Sequence, residues 1–308
     1  MTEYDVLQAL KDLKYDVNVF GLDNNLNELK EKIEEFKPHI VFNLMEGFDG
    51  LSILDHNVVS FLELLKIPYT GCSPRGLMIA RDKALAKKIM TYHRLPTPKF
   101  FVFPKNKKMK RPKNLTFPLI VKCLREESST GISQASIVHN DEKLQERIEF
   151  INRSLADDAL VEEFIPGKEY YVGLYGNYQI KALPVWELKF EKSTEPSKEI
   201  YSARAKYNMK YRKEKGITSE KAQLPSELTN KIQQICKRTY KALHLNGYAR
   251  LDLRVTDDGK VYILEANPNP NLESDDEFAL SAQNLKLSYK KLIKKILTLG
   301  FTWSSYEH

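Results

Sequence analysis

The sequence predicts an α/β protein of two or three packed lobes. Three observations carry this. A chain of 308 residues is long for a single core. Residues 17–71 alternate short apolar runs with helical periodicity, the pattern of a parallel α/β lobe. Gly247–Leu272, GYARLDLRVTDDGKVYILEANPNPNL, reads as a β-hairpin carrying charge on one face.

Taken in order, Val6, Leu7, Leu10 and Leu13 give residues 2–14 a helical stripe. Val17–Phe20 is expected as a strand, Leu26–Phe36 as a helix and His39–Leu44, HIVFNL, as a buried parallel strand. A helix over 55–66 leads to Pro68–Gly71, PYTG. The lobe starts on a helix, as though its first strand were missing. Residues 77–95 read as one amphipathic helix bearing Arg81, Asp82, Lys83, Lys87 and Lys88, ended by Leu95-Pro96-Thr97-Pro98. Strands follow at 99–103 and at Phe117–Cys123, FPLIVKC, where Lys122 sits among apolar neighbours. A lysine in a buried strand calls for an anionic partner.

Arg125–Ile132, REESSTGI, offers hydroxyls and backbone N–H groups, and suits either phosphate or an ordinary hairpin turn. A helix over 141–152 precedes Ala159–Ile165, ALVEEFI, and strands are expected at 170–175 and 180–186. Glu191–Glu220 is polar, charged and weakly periodic, the signature of a functional loop or lid. A helix over 225–245 enters the hairpin, and Ser288–Leu299 closes the chain as an amphipathic helix.

In the hairpin, Ala249, Leu251, Leu253 and Val255 alternate with Arg250, Asp252 and Arg254. A two-residue Asp258-Gly259 turn sets Asp252 opposite Glu265 and Arg250 opposite Asn267. Opposed acids destabilise a sheet unless a cation lies between them. Mg²⁺ accepts one or two carboxylates and completes its shell with water and phosphate, so Asp252, Glu265 and Asn267 suit it. The alternative is a solvated face without a ligand.

Composition narrows the field. Hydrophobic residues at 42% and charged residues at 29% are ordinary for a soluble globular chain. No run reaches transmembrane length, and the N-terminus lacks an apolar signal core, so a cytoplasmic protein without a membrane partner is expected. Cys72, Cys123 and Cys236 lie far apart without metal-ligand spacing and read as reduced thiols. The net charge of +7 suits anionic ligands. Its one dense cluster, Lys105–Lys113, reads as a solvated loop with no nucleic-acid motif, so no nucleic-acid partner is expected.

Several pieces recur in a fixed order: Asp82-Lys83, Lys122, the loop 126–132, VEEFIPGKEYYV, Lys206-Tyr207, and Arg250-x-Asp252 with Glu265-x-Asn267. Over roughly residues 40–299 this resembles the ATP-grasp superfamily, in its D-alanine–D-alanine ligase branch. VFNLMEG and IPYTG resemble the branch's N-terminal lobe. The resemblance implies an ATP-grasp fold of α+β lobes behind a parallel α/β (pre-ATP-grasp) lobe. The division expected is residues 1–76, then 77–168 with the phosphate loop, then 169–308 with the lid and metal site.

ATP and two Mg²⁺ ions are implied, with Mn²⁺ as a substitute. By position, Lys83 and Lys122 would meet the α- and β-phosphates, and Ser128, Ser129 and Thr130 would close over them. Glu162 and the backbone of Glu163, Phe164 and Ile165 would read the adenine edge, and Glu169 would hold the ribose. Lys206 would meet the γ-phosphate with Tyr207 beside it, Arg250 would steady a tetrahedral intermediate, and Asp252, Glu265 and Asn267 would ligate metal. The implied reaction joins a small carboxylate to an amine, an amino acid or peptide, through an acyl phosphate. Homodimers occur among such enzymes. The alternative is a degenerate ATP-binding subunit without turnover.

Departures from the branch fall on the substrate side. Glu46-Gly47 replaces the expected histidine before glycine, and Glu127 stands where the phosphate loop usually has glycine. Pro268–Glu277 replaces a stretch of small residues that receives the second alanine's carboxylate. Its acids either attract a cationic acceptor or, for Asp275, Asp276 and Glu277, favour the start of the next helix. D-Alanyl-D-alanine is therefore not the expected product.

Overall fold

The computed structural model describes the chain apart from residues 106, 108, 126–131, 194, 196–198 and 305–308 and the side chains of residues 203 and 207. Three helices open it: α1 (Thr2–Asp12), α2 (Leu26–Phe36) and α3 (Asp55–Leu64). Asn25 caps α2 by accepting from the Asn27 amide at 3.0 Å. Between them the expected parallel sheet is reduced to one bridge, Val41 to Tyr69. Its hydrogen bonds run from Val41 N to Pro68 O at 2.8 Å and from Thr70 N to Val41 O at 3.0 Å. Residues 17–20 are not a strand, because among the described residues they have no ladder partner.

The single helix expected over 77–95 is two, α4 (Pro74–Arg81) and α5 (Lys83–Tyr92). Ser73 caps α4, with Pro74 at its first position. Asp82 leaves the helical region at ψ 95° and caps α5 through the Leu85 amide at 2.9 Å.

The first sheet comprises β1 (Phe100–Phe103), β2 (Leu119–Cys123), β3 (Ile137–Val138) and β4 (Ala159–Glu163), in the order β1-β4-β2-β3. Helix α6 (Asp141–Ser154) covers one face, where Leu144, Ile148 and Ile151 meet Val121 and Val161. Strand alternation turns Ile120, Lys122, Leu160 and Glu162 to the other face.

The second sheet is antiparallel and runs β10-β9-β5-β7-β8. Its members are β5 (Lys168–Tyr175), β6 (Lys181–Ala182, paired to β5), β7 (Trp186–Phe190), β8 (Ile217–Lys221), β9 (Tyr248–Val255) and β10 (Val261–Pro268). The strand expected over 180–186 is thus split between β6 and β7 around Pro184. The polar stretch 191–220 carries α7 (Ala203–Tyr207) and α8 (Met209–Lys215) before β8. Helix α9 (Ser226–Ala242) packs Ile232, Cys236 and Tyr240 into a core with Val172, Leu174, Leu251 and Leu253. Helices α10 (Glu277–Gln283) and α11 (Tyr289–Phe301) close the chain, with α11 lying on α1.

One crossing ties the N-terminal segment to the hairpin. Gly71 has φ +96° and Gly247 φ +66°. A Cβ on Gly247 would come within 2.4 Å of Gly71 O, and one on Gly71 within 2.4 Å of Asn269 Oδ1. The Asn269 side chain accepts from the Cys72 amide at 2.8 Å, and Asn246 accepts from the Ser73 amide at 2.7 Å.

Candidate active site

The hairpin reaches the expected pairing by an unexpected route. Its turn spans five residues rather than two: Val255 pairs with Val261, and Thr256 N bonds Lys260 O at 3.0 Å. That register would carry Glu265 inward, because Val261 and Ile263 already face the core. A β-bulge between Ile263 and Glu265 shifts the pairing by one. Beyond it Asp252 lies opposite Glu265, Arg250 lies opposite Asn267, and Ala266 takes the core face.

On the site face Arg250 grips Asp252 with two bonds, Nε–Oδ1 at 2.8 Å and Nη2–Oδ2 at 3.0 Å. Its guanidinium lies 4.8 Å from the centre of the Tyr171 ring. The cation facing Asp252 in this structure is therefore Arg250. Burial pushes the Asp252 carboxyl up to about 6 against the pull of Arg250. Burial also acts on Glu265, but Lys83, Lys122, Lys206 and Arg250 together hold its carboxyl below the usual range. Glu265 forms no hydrogen bond or ion pair of its own among the described residues. The buried amide nitrogen of Asn267 likewise has no partner among them.

Glu162 and Lys122 meet across the first sheet. Glu162, 1% exposed, holds Lys122 Nζ on Oε2 and Lys87 Nζ on Oε1, both at 3.1 Å. Burial would lower the Lys122 pKa, but Glu162 and Glu265 outweigh it and the ammonium is favoured. Lys87 was not among the expected site residues. It is buried on α5 and also reaches Thr97 Oγ1 and Leu264 O, each at 3.1 Å. Nothing local in the sequence marks it, because its partners lie on β4 and β10.

Glu169 bonds Arg254 Nη2 at 3.1 Å and accepts from the Tyr171 hydroxyl at 3.1 Å. Arg254, also not expected, is 3% exposed. It donates to Ile165 O at 3.0 Å and to the backbone carbonyl of Glu199, and lies 5.0 Å from the centre of the Phe164 ring. It fastens the start of the 199–221 segment to the strand end that carries Phe164. Lys206 lies 5.6 Å from the centre of the Tyr201 ring, whose hydroxyl accepts from Arg212 at 2.7 Å. These groups line a cleft of about 80 Å³ between the two sheets, with Lys122, Glu162, Glu163, Phe164, Ile165, Glu169, Lys206, Asp252 and Glu265 in its walls. Lys83 enters through its charge on Glu265. Ser128, Ser129 and Thr130 lie outside the described residues, as does the side chain of Tyr207.

The acidic stretch after the hairpin settles on the second sheet's rim. Asp276 caps α10, accepting from the Glu277 amide at 2.8 Å. Glu277 turns inward, with Oε2 at 3.8 Å from Arg250 Nη1. Burial, with Asp276 beside it, pushes the Glu277 carboxyl up to about 8. Helix α1 anchors the same rim, since Asp5 accepts from the amide and hydroxyl of Ser274, both at 2.9 Å.

The family model for the D-ala D-ala ligase C-terminus matches residues 89–298. The chain belongs to the D-alanine–D-alanine ligase family. As a member it has the ATP-grasp fold and the activity class of ATP-dependent C–N ligases. A D-alanine–D-alanine ligase from Aquifex aeolicus is 32% identical, over 95% of this chain and 92% of that protein. An uncharacterized protein, y4sG, from Sinorhizobium fredii is 34% identical, over 85% of this chain and 74% of its own length. The crystal structure of a D-alanine–D-alanine ligase from Bacillus anthracis complexed with ATP superposes with a TM-score of 0.79. That match has 25% identity and covers 98% of this chain and 91% of that one.

The family's divalent ion fits the residues present. Among the described residues no three His, Cys, Asp or Glu side chains form a metal cluster. Mg²⁺ bound through phosphate needs only one or two carboxylates. Glu265, without an ion pair of its own among the described residues, and the side-chain oxygen of Asn267, on the same face of β10, are the oxygen donors available for such a set.

Proposed function

We propose that this family member activates a small carboxylate with ATP and joins it to an amine-bearing acceptor other than D-alanine. The observation that carries this is the cleft whose walls bring Lys122 and Lys206 together with Asp252 and Glu265, a carboxylate that Lys83, Lys122, Lys206 and Arg250 hold below its usual range. Cations gathered about a carboxylate with no ion pair of its own among the described residues suit a triphosphate with its metal. The same grouping supports the family's roles for these residues.

In this reading Asp252, Glu265 and Asn267 would hold Mg²⁺, as two ions or with Mn²⁺ in their place, and the metal would neutralise phosphate oxygens. Lys83 and Lys122 orient the α- and β-phosphates, Lys206 meets the γ-phosphate, and Ser128, Ser129 and Thr130 close over them, with Tyr207 beside Lys206. Adenine lies against Phe164 and the backbone of Glu163–Ile165, and Glu169 turns to the ribose. A carboxylate oxygen of the first substrate attacks the γ-phosphorus, the bond to the β–γ bridging oxygen breaks, and ADP leaves an acyl phosphate. The neutral amine attacks the acyl carbon, Arg250 meets the tetrahedral oxyanion, and phosphate departs as the amine proton is lost. Residues 191–220 exclude water during this sequence. The three-lobe division of the chain and a cytoplasmic site of action belong to the same reading.

The acceptor assignment rests on Glu277, whose buried carboxyl beside Arg250 keeps its proton up to about pH 8, so that an ammonium on the acceptor would favour its ionisation and a D-alanine carboxylate would not. A screen of ADP release over amino-acid and dipeptide pairs tests both parts. Turnover is expected to need two substrates and to favour acceptors with a second cationic group. Added hydroxylamine should trap the acyl phosphate as a hydroxamate. Equal or better turnover with two D-alanines would overturn the acceptor assignment. ATP binding without ADP release from any pair would replace the ligase with a nucleotide-binding subunit.

A further inference from the structure

The β10 bulge has a structural cost and a defined holder. A bulge takes one peptide unit out of the ladder, and its carbonyl must find another donor. Here the unit belongs to Leu264, and its carbonyl accepts from Lys87 Nζ at 3.1 Å. The flanking peptide is pinned as well, since Ile263 N donates to Pro96 O at 2.8 Å. Thr97, the next residue, is the second oxygen on the same ammonium, at 3.1 Å. The third is Glu162 Oε1, the carboxylate that also holds Lys122. Lys87 is 1% exposed, so water does not share these bonds.

The consequence reaches Glu265. Val261 and Ile263 face the core, and period-two alternation would send Glu265 and Asn267 after them. Only the extra residue at Leu264 turns both onto the site face. We infer that Lys87 is a positioning residue for the metal ligands: its ammonium fixes the Leu264 bulge, and so the face on which Glu265 and Asn267 stand, while coupling that bulge through Glu162 to the phosphate lysine Lys122. Lys87 is not one of the residues that line the cleft. It acts through one carbonyl and one carboxylate, and rests on the proposed metal site for its effect on turnover.

The test separates these two arms. Lys87→Met should raise the Mg²⁺ concentration for half-maximal ADP release by about 10- to 100-fold, the usual cost of losing an outer support of a metal ligand. Glu162→Gln should weaken nucleotide binding and leave the Mg²⁺ requirement within about twofold of wild type. The Lys87→Met/Glu162→Gln double variant also removes the buried carboxylate that would be left with one of its two lysines, which keeps the fold measurable, and should retain the Mg²⁺ defect. Independently of activity, hydrogen exchange at the Glu265 and Ala266 amides should be at least about tenfold faster in Lys87→Met than in wild type. Unchanged exchange at these amides, or a normal Mg²⁺ requirement in the double variant, overturns the inference. Faster exchange in a protein whose wild type releases no ADP upholds the bulge role and sinks the ligase reading instead.

Discussion

The hairpin face and the α10 rim are both rich in acid, and they differ in what answers it. Across the cleft the carboxylates are answered by cations: Lys87 and Lys122 pair with Glu162, Arg254 with Glu169 and Arg250 with Asp252, while Glu265 feels Lys83, Lys122, Lys206 and Arg250 without an ion pair among the described residues. On the rim Asp276 is answered by a helix start, and Glu277 shares Arg250 at a longer 3.8 Å. A face whose charges are balanced in advance is built to add a polyanion together with its metal. A rim left short of positive charge is suited to a ligand that brings its own.

That contrast can be broken from the balanced side first. Glu265→Gln should lower Mg²⁺-dependent ADP release by about 10³-fold with little change in melting temperature, because no protein partner is lost. Activity within tenfold of wild type would remove Glu265 from the metal site. Lys122→Met should cost roughly 10²-fold, mostly as a raised KM for ATP, since Glu162 keeps Lys87 as its counter-ion. A kcat effect with unchanged KM would place Lys122 on the reacting phosphate instead.

The rim is tested by Glu277→Gln, with an expected loss of about tenfold in kcat/KM for cationic acceptors and none for ATP. It also carries a pH signature. The folded pKa of Glu277 is raised from 4.5 to about 8, so between those values the native state binds the proton that the unfolded chain releases. Its contribution to stability is therefore complete below about pH 4.5 and declines as pH rises toward 8. Thermal melts of wild type and Glu277→Gln at pH 5 and pH 8.5 should show the variant gaining relative stability at the higher pH. The smallest effect is expected from Arg254→Lys, about three- to tenfold in KM for ATP, because a lysine cannot hold Glu169, Ile165 O and Glu199 O together. Limited proteolysis should then cut faster within residues 191–220.

Much of the balanced face was legible in the sequence, though not always for the right reason. The pairing of Asp252 with Glu265 was expected from a two-residue turn. A five-residue turn and a bulge each shift the register by one, and the shifts cancel. Alternation alone could not reveal this, since Val261, Ile263, Glu265 and Asn267 follow one another at a spacing of two. The break at Asp82 was readable, because Ser73-Pro74 and Asp82 are both helix-start signals. Lys87 and Arg254 were not, because a buried cation is defined by carboxylates and carbonyls that arrive from distant strands. The weak parallel ladder at Val41 also had to be seen, as apolar runs report burial and say nothing about the number of strands beside them.

The contact of Gly71 with Gly247 and Asn269 sets a rule for recombining this chain with its relatives. No side chain fits on either glycine, and the asparagine is at φ +49°, so three positions from distant parts of the sequence must travel together. A chimera joined between residues 71 and 247 inherits this crossing from two parents. Where they disagree on any of the three positions, the first segment loses its seat on the hairpin, and exchanged specificity would be confused with a dislodged lobe.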